Sequence, residues 1–228
     1  MFILCGIAYP QIEKSQYAIS LNGNYTTTSR LYLQPNSSDI LLRNSYESLD
    51  DIYNYSIEIR YRFSESIILA AGSEIIQKKF VNNSYNLAGI KAILTDGYRM
   101  IPIELTIYYE MSFSSDRIKI FMGGGGGFYF GNHIREVGDV SVKSSTAKVA
   151  FGIHVTAGVE YFLNEKFSVR GQMRFRDPEI NFANEYDKTT VNINGRSILL
   201  PSSSFYSKVN VDGVTFTLGA SYNFNLSF

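Results

Sequence analysis

The residues best suited to chemistry in this 228-residue chain form a run of five glycines, residues 123–127, directly before Phe128. The backbone N–H groups of a glycine-rich loop can hold a phosphate, but such a loop also needs a lysine with Ser or Thr at a fixed spacing and a following helix. Here the glycines lead into the aromatic stretch FYFGN. The sequence therefore predicts no nucleotide site, and the glycines need another explanation.

Two histidines are the next candidates for catalysis. A serine hydrolase needs a histidine beside its serine and an acid that orients the ring. His154 lies in the stretch HVT, and His133 lies in a polar segment that we predict to be a loop. Neither has a serine at a spacing typical of such enzymes, so the sequence predicts that the chain is not an enzyme.

Metal, cofactor and nucleic-acid sites are not indicated. Cys5 is the single cysteine, which rules out a disulfide framework and a thiolate cluster. The acidic residues at 50–51 and 185–187 are expected to be solvated loop charges rather than a calcium site. The formal net charge is zero, which gives no general electrostatic reason to expect a nucleic-acid partner.

The elements that position these residues are predicted to be β-strands. In the last fifteen residues, VTFTLGASYNFNLSF, every second residue from Val214 to Phe228 is apolar. This alternation gives a strand one apolar face, and a tilted strand needs about 9–11 residues to cross a bilayer. The pattern recurs near residues 17–25, 53–63, 67–77, 101–113, 118–130, 149–161 and 167–176. We therefore predict an all-β fold, an eight-stranded antiparallel up-and-down transmembrane β-barrel.

The connections between these strands alternate in length, as in outer-membrane barrels. The sequence predicts short periplasmic turns near 64–66, 114–117 and 164–166, and long extracellular loops near 29–52, 78–99, 131–147 and 177–210. Within the last loop, TTVNINGRSILL carries Asn194 and Gly195, which favour a type I′ turn. We predict an extracellular hairpin there rather than two further spanning strands.

Aromatic residues provide an independent test, because lipid-facing barrels carry aromatic girdles at both interfaces. This topology places one girdle near the periplasmic rim: Tyr17, Phe63, Phe113, Tyr161, Phe167, Tyr222 and Phe228. The second girdle lies near the outer rim: Tyr25, Tyr53, Tyr55, Phe151 and Phe175. The apolar face between the two girdles is mostly aliphatic, which favours a membrane-facing surface.

The opposite face of the strands carries charged residues that would point into a narrow lumen. They are Glu58, Arg60, Arg62, Glu74, Glu104, Glu110, Lys119, Glu160, Arg170, Arg174 and Arg176. The short turns predict that Glu160 lies opposite Arg170 and that Glu110 lies opposite Lys119, and the same register sets His154 opposite Arg176. Buried charges must be paired. The charges are interpreted as a salt-bridged plug, and a polar path for ions or protons is the alternative.

The same geometry explains the glycines. An eight-stranded barrel is just wide enough for side chains to fill it. Gly123, Gly125 and Gly127 are predicted to face inward and to leave room for long charged side chains of neighbouring strands. Gly124 and Gly126 would face lipid and allow the wall to bend.

The chain is predicted to be one domain, residues 15–228, preceded by a short apolar segment, residues 1–14. The start MFILCGIAYPQ is typical of the tail of a secretory signal that lacks its basic region. A short additional strand and a lipid anchor at Cys5 are the alternatives.

With these features the chain resembles the small eight-stranded outer-membrane barrels of Gram-negative bacteria, of the OmpA, OmpX and OmpW kind. The resemblance rests most on the C-terminal YNFNLSF, where Tyr222, Phe224, Leu226 and Phe228 match the signal that the barrel-assembly machinery reads in that family. A glycine-rich fifth strand followed by an aromatic residue is also common there.

The resemblance implies an integral location in the bacterial outer membrane, surrounded by lipid and lipopolysaccharide. The charges predicted in the narrow lumen favour a closed structural or surface-interaction protein that displays four extracellular loops to an unknown partner. The alternative is a narrow passive channel for small or apolar solutes, as in the OmpW-like branch. A lipid-modifying enzyme is a remote further alternative.

Overall fold

The structure is a computed structural model that describes residues 15–147, 149–200 and 202–226. The predicted signal segment 1–14, with Cys5, and the terminal Phe228 therefore lie outside the described residues. The elements are β1 (Tyr17–Tyr32), α1 (Ile40–Asn44), β2 (Tyr46–Arg62), β3 (Ile67–Glu74), β4 (Ile76–Leu87), β5 (Ile90–Glu110), β6 (Ile118–Val137), β7 (Val140–Ala147), β8 (Ala150–Phe162), β9 (Phe167–Arg176), β10 (Glu179–Tyr186), β11 (Thr190–Ile193), β12 (Arg196–Leu199), β13 (Ser204–Asn210) and β14 (Val214–Phe224).

Eight of these strands form a closed ring of antiparallel pairings. The backbone hydrogen bonds run from β1 through β2, β3, β5, β6, β8, β9 and β14, and then return to β1. Short connections at 63–66, 111–117 and 163–166 lie at the same end as Ser15 and Leu226, which we call the near end. The predicted all-β, eight-stranded up-and-down barrel and its short turns are confirmed.

The ring is apolar outside and polar inside, which is the reverse of a water-soluble barrel. Aliphatic side chains at mid-height face outward, and Leu21 and Ile153 are 69% and 68% exposed. Tyr53, Tyr55 and Phe151 are exposed at one rim, and Phe63 and Phe113 at the other, as the predicted girdles require.

No helix within the described ranges is long and apolar enough to cross a bilayer.

At the far end the prediction of long loops at 78–99 and 131–147 is wrong. Each segment is a β-hairpin that extends the barrel, with turns at Ala88–Gly89 and at Gly138–Asp139. The φ angles of Ala88, Gly89 and Gly138 are 50°, 83° and 56°, as tight hairpin turns require. Together β4, β7, β10 and β13 with the outer parts of β1, β2, β5 and β6 form what we call the outer tier. The sequence shows no membrane-type alternation there because the outward face of these strands is exposed and largely polar, as at Glu179, Asn181 and Glu185 of β10.

The predicted hairpin after β10 is confirmed. β11 and β12 pair through Ile193 and Arg196, and Asn194 and Gly195 at the turn have φ angles of 51° and 77°. Apolar residues of this hairpin pack on the tips of the outer tier in a cluster formed by Leu87, Ala92, Leu94, Val137, Val140, Val191, Ile193 and Leu200.

Asp139 fastens this hairpin to the outer tier. Its carboxylate accepts the backbone N–H of Asn192 at 2.7 Å and the ammonium of Lys188 at 2.7 Å. The Asn192 N–H, followed by the Lys188 and Asn192 side chains, lowers the pKa of Asp139 below its ordinary value of 3.8. Because the pKa of Asp139 is lower in the folded chain than in the unfolded chain, its carboxylate stabilises the fold above about pH 4. This contribution is lost as the pH falls through the pKa of the folded state.

Replacing Asp139 by Asn is therefore expected to loosen the hairpin at neutral pH, because the charge that holds Lys188 and the Asn192 N–H is lost. Amide hydrogen exchange of Asn192 should become faster. Asp187→Asn is the matched control, since Asp187 accepts the N–H of Ser141 instead, at 2.9 Å. Equal exchange of Asn192 in the wild type and the Asp139 variant would contradict this role.

Candidate functional site: the barrel interior

The glycine run lies in β6, where neighbouring backbones come unusually close. A Cβ atom added to Gly125 would overlap the carbonyl oxygen of Leu105 and lie 2.9 Å from its carbonyl carbon and 3.0 Å from Cε1 of His154. His154 fills the space beside this glycine, and its Nε2 lies 2.8 Å from Thr106 Oγ1. The glycines therefore permit close approach of β5 as well as leaving room for a neighbouring side chain.

Charged residues at the near end form the first interior layer. Arg62 Nη2 donates to Glu110 Oε2 at 2.9 Å, and Lys119 Nζ lies 3.9 Å from Glu110 Oε1. The predicted register is wrong here, because Phe121 is the residue opposite Glu110. Lys119 reaches Glu110 diagonally instead, because a four-residue turn at 114–117 pairs residue 113 with 118 and therefore sets Glu110 opposite Phe121.

Glu160 is the centre of the next layer, which we call the lower network. It lies opposite Arg170, as predicted, at 3.5 Å. Its closer partner is Arg60, which donates from Nη1 at 2.5 Å and from Nη2 at 3.0 Å. Ser168 also donates to Glu160 at 2.5 Å. Arg60 Nη2 further reaches two hydroxyls, those of Ser20 and Ser221.

The Arg170 guanidinium packs against two aromatic rings of the interior. The Arg170 guanidinium lies 3.7 Å from the ring centroid of Phe121 and 4.3 Å from that of Tyr108. The Tyr108 hydroxyl donates to Glu58 at 2.7 Å, and Glu58 lies 3.7 Å from Arg60. These contacts fill the interior between the charges, so that little room for water remains.

The middle network joins four charges further along the axis. Arg174 donates to Glu74 at 2.7 Å and to Glu104 at 2.5 Å, and Arg176 contacts the same two carboxylates. Tyr129 donates to Glu104 at 2.6 Å. Glu74 also accepts the side-chain amides of Asn24 and Asn54. The register places His154 opposite Arg176, as predicted.

Above this level the interior is apolar, which the sequence analysis did not predict. We call this part the apolar layer, formed by Leu31, Leu49, Ile52, Ile76, Tyr98, Met100, Tyr129, Ala150, Ile180, Phe182, Val209 and Val211. It lies within the outer tier because those segments are strands with their own inward faces. Its members are buried, so the layer is packed with the protein's own side chains.

A second polar cluster, the outer polar cluster, lies beyond the apolar layer. It contains Asp96, His133, Asn184 and Ser207, all of which are buried. His133 was predicted to be in a loop, but it lies in β6 and faces inward. Sequence reasoning missed the cluster because its members come from four strands, β5, β6, β10 and β13, and no motif links them.

Voids in the interior are small until the far end is reached. Spaces beside the lower and middle networks hold about 20 Å³ each. A larger cavity of about 360 Å³ lies at the far end, beside Arg135 and Phe205. Within the described ranges, no three His, Cys, Asp or Glu side chains are grouped closely enough to hold a metal ion.

The residues of the predicted assembly signal lie on the last strand and just after it. Tyr222 and Leu226 are exposed and face outward, and the ring of Phe224 stacks on that of Tyr17, 5.8 Å away. These positions complete the near-end aromatic girdle. Recognition by the assembly machinery stays a prediction.

Comparison with known proteins relates the chain to solved structures alone. No family model matches it, and no curated protein matches it. The outer membrane protein OprG from Pseudomonas aeruginosa is similar over 95% of this chain and 99% of its own, with 14% identity and a TM-score of 0.67. Neisserial surface protein A is similar over 91% of this chain and 97% of its own, with 10% identity and a TM-score of 0.50. At these identities the likeness establishes the fold.

Proposed function

We propose that this chain, which has the fold of the small OmpA/OmpX/OmpW-type outer-membrane β-barrels, is a closed barrel that presents a rigid outer tier at the cell surface. One observation carries the proposal: five successive interior layers, four polar and one apolar, are filled by buried side chains. An eight-stranded barrel has no spare width for a pore once its side chains pack in this way.

The outer tier supports a role in surface interaction. Its strands project the helix α1 and the β11–β12 hairpin beyond the barrel, and Leu41 and Leu199 are 81% and 73% exposed there. On α1 the adjacent Ile40, Leu41 and Leu42 are all exposed, and contiguous exposed apolar residues of this kind mark interaction sites. The exposed apolar outer surface of the ring fits an environment of lipid and lipopolysaccharide.

A closed barrel is expected to give no steady conductance when the purified chain is inserted in planar bilayers, because hydrated ions cannot pass the apolar layer. Insertion can be checked by the unheated-gel mobility of the same sample. Steady wild-type conductance whose ion selectivity shifts with Glu160→Gln would contradict the closed barrel and favour a channel through the charge networks.

The alternative function, passage of small apolar solutes, is favoured by the far-end cavity, which leucines and aromatic residues line. For passage the solute would have to leave the cavity across the packed apolar layer or through the wall. Protein-dependent uptake of an octane-sized hydrocarbon into proteoliposomes would support this alternative, whereas uptake equal to that of empty liposomes would favour the closed barrel.

A further inference from the structure

The outer polar cluster is a hydrogen-bonded chain from a hydroxyl to a carboxylate. Ser207 Oγ lies 2.7 Å from His133 Nδ1, and His133 Nε2 contacts Asp96 Oδ1. Asn184 Nδ2 donates to Ser207 Oγ at 2.9 Å and lies 3.2 Å from His133 Nδ1. All four side chains are at most 2% exposed. Neither the proposed closure of the barrel nor its surface role uses this cluster.

Hydrogen-bond chemistry fixes the direction of this chain. A carboxylate only accepts hydrogen bonds, so the Nε2 atom that faces Asp96 must carry the ring proton. In the neutral imidazole the other nitrogen is then an acceptor, and Nδ1 accepts from the Ser207 hydroxyl. His133 is thereby set to withdraw a proton from Ser207, while Asp96 orients the ring and stabilises the positive charge that would form.

These are the roles of nucleophile, general base and orienting acid in a Ser–His–Asp hydrolase, which are recognised by geometry rather than by sequence order. Compared with the serine proteases, the two ring nitrogens exchange places. We propose that Ser207, His133 and Asp96 form a serine acyl-transfer site in the outer tier, acting on small carboxylic esters that enter from the far end.

The far-end cavity lies directly beyond the triad. Each residue of the outer polar cluster is followed, two positions along its strand towards the far end, by a residue that lines this cavity. These lining residues are Leu94, Arg135, Tyr186 and Phe205. Residues two apart on a strand share a face and are about 6–7 Å apart. The cavity floor is therefore one side-chain layer from Ser207.

Phe205 is the side chain that closes this floor. Its ring meets His133 edge-on at 5.3 Å, and the Arg135 guanidinium lies 4.9 Å from its centroid. Arg135 is fixed by Asp96, to which Nη2 donates at 2.5 Å. Rotation of the Phe205 ring would connect the cavity with Ser207. The guanidinium at the floor would then provide positive charge near a developing oxyanion.

The cavity lining indicates the substrate class. Leu33, Leu87, Leu94 and Leu200 suit the apolar part of a short-chain ester, and a volume of about 360 Å³ limits its size. Ser207 Oγ would attack the ester carbonyl carbon while His133 takes the hydroxyl proton. That proton passes to the departing alkoxide as the carbon–oxygen bond breaks, leaving an acyl-serine and an alcohol. Water then cleaves the acyl-serine by the same route and releases a carboxylic acid.

A small alkyl fluorophosphonate tests this site in the full chain held in detergent micelles. The wild type is expected to take up one adduct, located at Ser207 by peptide mass spectrometry. Ser207→Ala should abolish it, and His133→Gln should slow it by about 10²-fold or more, since general-base catalysis typically contributes this much. Ser29→Ala is the matched control, because Ser29 is equally buried and bonds Tyr98 rather than the triad.

Phe205→Ala keeps the experiment decisive if the closed floor makes wild-type labelling slow. Opening the floor should raise the labelling rate of Ser207 at least about tenfold, since access then ceases to limit the reaction. Absence of a Ser207 adduct in this variant, with the barrel folded on an unheated gel, would overturn the proposal. Equal labelling of Ser207→Ala would overturn it as well. Neither result bears on conductance, so the closed barrel is tested separately.

Discussion

Replacing Glu160 by Leu is expected to destabilise the barrel by about 3–5 kcal/mol, the cost of leaving buried charges without their partner. Arg60 and Arg170 both approach Glu160, and the three side chains are 2–4% exposed. Neither guanidinium can reach bulk water after the change. The free energy of unfolding in urea, followed by the mobility of the folded and unfolded bands on unheated gels, measures the loss.

The double variant Glu160→Leu with Arg170→Met should be less destabilised than Glu160→Leu alone, because Arg170 is removed together with its carboxylate while Arg60 keeps Glu58 at 3.7 Å. Glu179→Gln is the control for an exposed pair. Glu179 meets Lys208 at 3.0 Å but is half exposed, so its loss should cost at most about 1 kcal/mol. Additive losses in the double variant would show that the lower network is not a coupled unit.

Gly125→Ala is expected to have the second large effect, a loss of about 3 kcal/mol or failure to reach the folded band. The added Cβ would overlap the Leu105 carbonyl, which belongs to the backbone of a paired strand and cannot move aside as a side chain can. Overpacking usually costs about 1–3 kcal/mol, and the cost is higher where the obstacle is rigid.

Gly171→Ala is the matched control for this prediction. Gly171 also lies in a barrel strand, but a Cβ there meets no atom within 4 Å. The change should therefore leave the free energy of unfolding unaltered or raise it by up to about 1 kcal/mol, because alanine lowers the conformational entropy of the unfolded chain. Equal unfolding free energies for the two variants would mean that close approach to β5 does not explain the glycine run.

Much of the barrel could be predicted from the sequence because a membrane imposes its polarity on every strand. Alternation of Val214 through Phe224 fixes which side chains face outward, and a short turn then fixes the register, as at Glu160 and Arg170. The Asn194–Gly195 turn was predictable for a local reason, since both residues need positive φ. The register at Glu110 follows from the same rule, because a turn at 114–117 pairs residue 113 with 118 and so Glu110 with Phe121 rather than with Lys119.

The sequence by itself determined the period of the strands, the two faces of the barrel and the set of charges that occupy its interior. Only the tertiary structure decided that strands continue beyond the membrane, because water on the outer surface removes the apolar signal there. It also decided the partners. Arg60 rather than Arg170 is the closest cation to Glu160, and Asp96 and Ser207 reach His133 across 37 and 74 residues. Closing a sheet into a ring places residues of distant strands at the same level along the barrel axis. No local sequence pattern shows which residues will share a level.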